Sequence, residues 1–194
     1  MKPFYLGCLI VSVLAVMIGG CAAMFGVSGY NQAKALDQNV QSQWAQVEVQ
    51  LQRRFDLIPQ LEATVKGVAG QEQKVFLGIA EARKAYFQAA NVPDKAAAAN
   101  ELNSALSRLL LLQENYPQLK SNESFLKLQD TIEGTENRLS VERGRYNEAV
   151  RALNLFTQTF PNQFFAELAG VRPAEYLKAP DAAQAPPKID FSKP

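Results

Sequence analysis

The stretch "QLQRRFDLIPQL", positions 50 to 61, gathers charged residues where a helix would bury apolar ones. Arg53 and Asp56 are three apart and share a helical face. Arg54 is turned about 100° away, between Leu51 and Phe55, beside the apolar stripe. A guanidinium buried there requires a partner. Three readings follow. Arg54 clamps its helix to a neighbour and fixes register; Arg53, Arg54 and Asp56 form an exposed polar patch read by a partner protein; or the arginines hold a small anion. For the clamp, Glu133, Glu136 and Glu142 lie on a later helix, near a polar Thr135 that interrupts its stripe. Pro59 lacks an N–H, so the Phe55 carbonyl loses its helical donor and the turn at 55–59 is expected to kink. Such a bend wraps a long helix around its neighbours or turns polar side chains outward. A helix restarted from an Asp56 cap is the competing geometry.

The second chemically informative stretch is "IGGC", Ile18–Cys21. It follows a single lysine, Lys2, and an apolar run, and has the form of a bacterial lipoprotein processing box, with Cys21 as the lipid-attachment candidate. The uncharged apolar run from Phe4 to Val27 would extend about 36 Å as a helix, against a hydrocarbon core of about 30 Å. A lipoprotein signal and a transmembrane helix therefore both remain open, and both place the protein on a membrane. Lys2 and Lys34 flank the run too evenly to fix orientation. A signal-type entry puts the folded part outside the cytoplasm, on the cell membrane or outer membrane, and in the periplasm of a Gram-negative cell.

Other chemistry is closed off by composition. The chain has no histidine, and both cysteines, Cys8 and Cys21, lie at its N-terminal end. His-dependent bases, nucleophile systems and imidazole metal sites are excluded, as are Cys-rich zinc sites in the remainder. Paired glutamates on helices would need accompanying histidines to build the usual di-metal centre. "GVAG" lacks the lysine and strand of a phosphate loop. No catalytic residues, metal or cofactor are expected, and the protein is expected not to be an enzyme. With 20 Lys and Arg against 19 Asp and Glu, the chain lacks the basic surplus of a nucleic-acid binder.

The elements that must position these residues are helical. Apolar residues recur at Leu36, Val40, Trp44, Val47, Leu51, Phe55, Ile58, Leu61, Val65 and Val68, a mean step near the helical period. Gly67 and Gly70 then mark either a turn or a bend. A second stripe holds Val75, Ile79, Ala82, Tyr86 and Ala89. "PD" at 93–94 opens a third helix rich in Ala and Leu. "YPQLKSN" interrupts, and Asn122 is positioned to cap a fourth. The fourth stripe holds Phe125, Leu128, Ile132, Leu139, Tyr146, Val150, Leu153, Phe156 and Phe160, and Pro161 ends it. No useful strand pattern occurs. "NQFFAELAGVRPAEYL" is read as a short helix closing one end. The Pro- and Ala-rich tail is read as flexible, with Ile189 and Phe191 as its lone apolar pair. The expected architecture is all-α, an up-and-down antiparallel four-helix bundle with long first and last helices. The expected divisions are an anchor over 1–27, the bundle over 28–178 and the tail over 179–194.

"YNQ" at 30–32, "WAQVEVQLQRRFDLIPQLEATVKGVAGQE" at 44–72, "NELNSALSRLLLLQENYPQLKSNESFLKLQDTIEGTEN" at 100–137, "RYNEAVRALNLFTQTFPNQFFAELAG" at 145–170 and "EYL" at 175–177 resemble the LemA family. The resemblance implies a membrane-anchored bacterial protein with a four-helix bundle and no established enzymatic activity. It also implies proximity to membrane metalloproteases, and one relative takes part in forming magnetosome membranes. Most members keep the N-terminal segment as a transmembrane helix, so "IGGC" is a departure. The function expected is a scaffold or adaptor at the envelope, its process unknown. A self-associating spacer and an accessory factor of a membrane protease are the alternatives. The partners expected are the membrane and an unidentified protein, with homo-oligomers allowed. Burial of Trp44, Phe87 and Tyr116 discriminates these, since exposed aromatics favour partner binding.

Overall fold

The computed structural model describes residues 2–69 and 73–178. All regular structure among them is helical: α1 Lys2–Ala69, α2 Gln73–Gln88, α3 Val92–Asn115, α4 Pro117–Lys120, α5 Glu123–Gln158 and α6 Asn162–Leu168. The expected tail over 179–194 lies outside the described residues. The apolar N-terminal run and the first amphipathic stripe are one helix, with no break at residue 27. Helix α1 also continues through Pro59 and Gly67, so no helix restarts at Asp56. Gly70 lies outside the described residues.

Two compact units draw on this chain. One combines α1 up to Trp44 with Asn147–Ala174; the other combines Ala45–Tyr146 with the residues from Glu175 onward.

In the second unit, the contacts give each helix a direction. Phe55 on α1 meets the Tyr86 ring with centroids 4.8 Å apart, while Lys66 stands 5.3 Å from the Phe76 ring. As the α1 number rises the α2 number falls, so the two helices are antiparallel. Glu48 pairs with Lys95 and Arg54 with Asn103, so α3 runs in the same sense as α1. Asn100 bonds Arg143, whereas Asn103 shares Arg54 with Glu136, which sets α5 antiparallel to α3. The periodic positions form the core: Val47, Leu51, Phe55, Ile58, Leu61 and Val65 from α1, Ile79, Ala82 and Tyr86 from α2, and Phe125, Leu128, Ile132, Leu139 and Tyr146 from α5 are buried. Helix α3 contributes Leu102, Leu106 and Leu109.

Caps set the boundaries. Asn91 accepts from the Asp94 N–H at 2.9 Å and Pro93 occupies the first turn of α3, where a missing N–H costs nothing. Asn122 accepts from the Phe125 N–H at 3.1 Å and caps α5 as expected.

The first unit is built around Ala33 and Val40 of α1 and Val150, Leu153 and Phe156 of α5, with Ala166, Ala169 and Val171 behind α6. Phe160, the last residue of the expected fourth stripe, lies beyond the end of α5 and is 79% exposed. Helix α6 ends on Gly170 at φ 66°, a left-handed conformation open to glycine. The Gly170 N–H donates to the Glu167 carbonyl and the Val171 N–H to that of Ala166, both at 2.9 Å, closing the helix end in a Schellman motif. Asn154 then fixes the following segment, accepting from the Ala174 N–H at 2.8 Å and donating to its carbonyl at 2.9 Å.

Candidate functional site

The turn carrying "RRFDLIP" is divided by the helix. Arg54 faces inward and is 4% exposed, while Arg53, Asp56, Pro59 and Gln60 face outward. Asp56 accepts from Gln52 Nε2, one turn back, at 2.9 Å. The four sequence candidates therefore do not form one cluster. They form a buried cation and an exposed polar face on the same turns.

Arg54 is the centre of a polar layer that joins three helices. Its Nη1 donates to Asn103 Oδ1 on α3 and to Glu136 Oε2 on α5. Two turns along α5, Arg143 Nη2 donates to Asn100 Oδ1 at 3.1 Å. Asn100 and Asn103 are three apart, so both amides face the same side of α3. Burial pulls the Arg143 guanidinium below the usual arginine range; the Glu136 carboxylate opposes that shift, and the Arg54 charge adds to it. Arg54 Nε is buried with no acceptor among the protein atoms, as is Glu142 Oε2 without a donor. Of the three glutamates offered to Arg54 by the sequence, Glu136 is the one that meets it. The guanidinium thus joins an amide and a carboxylate on separate helices, and loss of these partners would leave a buried charge unpaired.

A second polar group ties α1 to α3 and α2. Lys95 Nζ donates to Glu48 Oε1 at 2.5 Å and stands 5.8 Å from the Tyr86 ring centroid. The Tyr86 hydroxyl is pushed up to about 12, by burial first and by the Glu48 charge second. Tyr146, whose hydroxyl donates to the Glu175 carbonyl at 3.1 Å, is also raised, by burial and then by the Glu175 charge.

On the outside, Phe87 is 56% exposed and packs on the rings of Phe55 and Tyr86 at 5.4 and 5.5 Å. Arg83 stands 5.9 Å from its centroid. Trp44 and Tyr116 are half-buried. None of the three discriminating aromatics is fully buried. Cys21 is an exposed free thiol on α1, with Ile18 exposed one turn before it. Among the described residues, no three His, Cys, Asp or Glu side chains gather as a metal site would require.

Asn100, Asn103 and Arg143 are absent from the sequence candidates. The available signal was two asparagines three apart in an Ala- and Leu-rich helix. The Glu48–Lys95–Tyr86 group had no local signal, since its members lie on three helices.

The LemA family model matches residues 43–191. Magnetosome proteins MamQ 1 and MamQ 2 of Paramagnetospirillum magneticum are each 22% identical over 204 residues, spanning 92% of this chain and 74% of theirs. Magnetosome protein MamQ of Magnetospirillum gryphiswaldense is 21% identical over 183 residues, spanning 81% of this chain and 67% of its own. The match includes the turn that carries the buried Arg54, the asparagine pair of α3 and all of α5 and α6, and by it the chain belongs to the LemA family.

Proposed function

We propose that this protein is a membrane-anchored, non-enzymatic helical scaffold or adaptor of the bacterial cell envelope. Its helices form an up-and-down four-helix bundle facing outside the cytoplasm. The observation that carries the proposal is helix α1: an apolar stretch, exposed at Val13, Leu14, Val16, Met17, Ile18, Met24, Phe25 and Val27, continues without a break into the residues that face a packed core. Such a helix serves to hold a folded surface at a bilayer. The alternating helix directions support the bundle, and the magnetosome proteins among the relatives support work at a membrane-bounded compartment.

The docking surface is the outward face of "RRFDLIP", carrying Arg53, Asp56, Pro59 and Gln60, while Arg54 keeps register from within. Exposed Phe87, seated on Phe55 of the same segment, supports a protein partner over a bare spacer role. A membrane protease is one such partner.

In-cell photo-crosslinking from Arg53, Asp56 and Gln60 tests the adaptor role. One recurrent neighbouring protein is the expected result. Crosslinks only within the chain, or only to further copies of it, would replace the adaptor with a self-associating spacer.

A further inference from the structure

We propose that helix α6 and the end of α5 form a second membrane contact, in which Phe160, Phe164 and Leu168 enter the headgroup layer beside the anchor. The inference rests on the membrane-anchor reading and adds a lipid-facing surface to it.

Depth is the first support. Phe165 of α6 packs edge-on against Phe25 of α1 with ring centroids 5.4 Å apart. Its ring also lies against Gly29, where any Cβ would overlap it. Helix α6 is thereby held at the level of residues 25–29, where the apolar run ending at Val27 leaves the hydrocarbon. Those residues rise about 6 Å along the helix axis, comparable to the roughly 5–7 Å headgroup layer of one leaflet. Tyr30 stands at the same level and the first charge, Lys34, comes one turn later. A spanning anchor gives this depth; in a chain lipidated at Cys21 the same residues stand about 6–12 Å from the attachment point, at the outer edge of that layer.

Exposure is the second support. In the chain on either side of Phe165, Phe160 is 79%, Phe164 55% and Leu168 73% exposed, and Leu155 adds a further 63% on the last turns of α5. Phe160 and Phe164 pair edge-on at 5.9 Å, and Phe164 and Leu168 are four apart on α6. Buried Ala166 and Ala169 take the opposite side. Helix α6 therefore carries apolar side chains outward as well as inward, with Phe165 and the two alanines facing the protein. A contiguous exposed apolar patch in water needs a cover, and at this depth the cover is lipid. Glu167 of α6 is offset by Arg172 beside Phe164, so no surplus of positive charge draws this face to anionic lipid. The surface works because the anchor already holds it at the bilayer.

The test uses the full chain with vesicles, and each of F160W, F164W and L168W in a Trp44→Phe background, folding being checked by helical circular dichroism. The unaltered chain is the control. Its single tryptophan, Trp44, lies about 25 Å beyond Val27 along the same helix. Flotation with phosphatidylcholine vesicles reports the anchor. Quenching by lipids brominated near the headgroup reports the α6 face. The expected result is flotation, a fall of roughly half in tryptophan emission at 160, 164 and 168, little change at Trp44, and no gain when phosphatidylglycerol is added. Flotation without quenching at α6 overturns this inference and leaves the anchor standing, giving the face to a protein or a second copy. Failure to float overturns both.

Discussion

Arg54 shows how much one side chain can decide. It is buried, charged and shared between α3 and α5, while the Glu136 side chain remains 39% exposed. Removing the guanidinium leaves a carboxylate that can rehydrate, so Arg54→Met is expected to cost about 1–3 kcal/mol, below the toll of a fully buried broken pair. Adding Glu136→Leu should cost less than the sum of the single changes. A double-mutant cycle by urea denaturation measures the difference, and strict additivity would remove the pair from the list of contacts that hold the helices. Tyr86 gives a pH-dependent counterpart. Its hydroxyl titrates higher in the fold than in the unfolded chain, so its contribution is fully present below the ordinary tyrosine range. It is lost as pH rises from about 10 to about 12. Stability should decline across that window by up to roughly 2–3 kcal/mol from this residue, and Tyr86→Phe should flatten the decline in denaturation curves taken at successive pH values.

At the scale of the element, α1 carries a proline that its fold does not need. Pro59 is exposed and interior to the helix, so the Phe55 carbonyl lacks its N–H donor. Pro59→Ala restores that donor and should raise stability by roughly 1–3 kcal/mol, read as a higher urea midpoint. If the turn is a docking surface, the same change should lower crosslinking from Asp56, as stabilising changes at functional segments often do.

Much of this element structure was legible beforehand, because the helical period is local. The steps of 3.6 named Val47, Leu51, Phe55, Ile58, Leu61 and Val65, all buried, and the Asn122 cap followed from residue type, whereas the Asn91 cap of α3 was not read from the sequence. Phe160 misled: it keeps the period of α5, yet the helix has already ended before it. The partners of Arg54 were illegible except as a choice of glutamates. Which side chains face each other across helices depends on axial register, and intrahelical spacing does not encode it. The need for glycine at 29 was hidden for the same reason, since the ring that excludes a Cβ comes from α6.

For the whole molecule, the form of the anchor is the sharpest open prediction. Metabolic labelling with a fatty-acid analogue should mark the chain and fail on Cys21→Ala if "IGGC" is processed. Absence of label, or label that survives the substitution, returns Cys21 to an ordinary residue of a spanning helix. In either case the chain should remain with membranes on fractionation.

The make-up of the first unit carries a consequence for how the protein is born. It joins α1 up to Trp44 to Asn147–Ala174, and everything between belongs to the other unit. A ribosome therefore delivers the first part of α1 long before it delivers the residues that pack against it. Throughout that interval Gly29 and Phe25 wait without Phe165, while the segment from Ala45 to Tyr146 already has its own partners at hand. Domains generally fold in the order of their synthesis, so the unit from Ala45 to Tyr146 should assemble first and the unit completed by α6 last. A nascent chain stalled before α6 emerges would have one unit largely assembled and the other still open at Phe25 and Gly29.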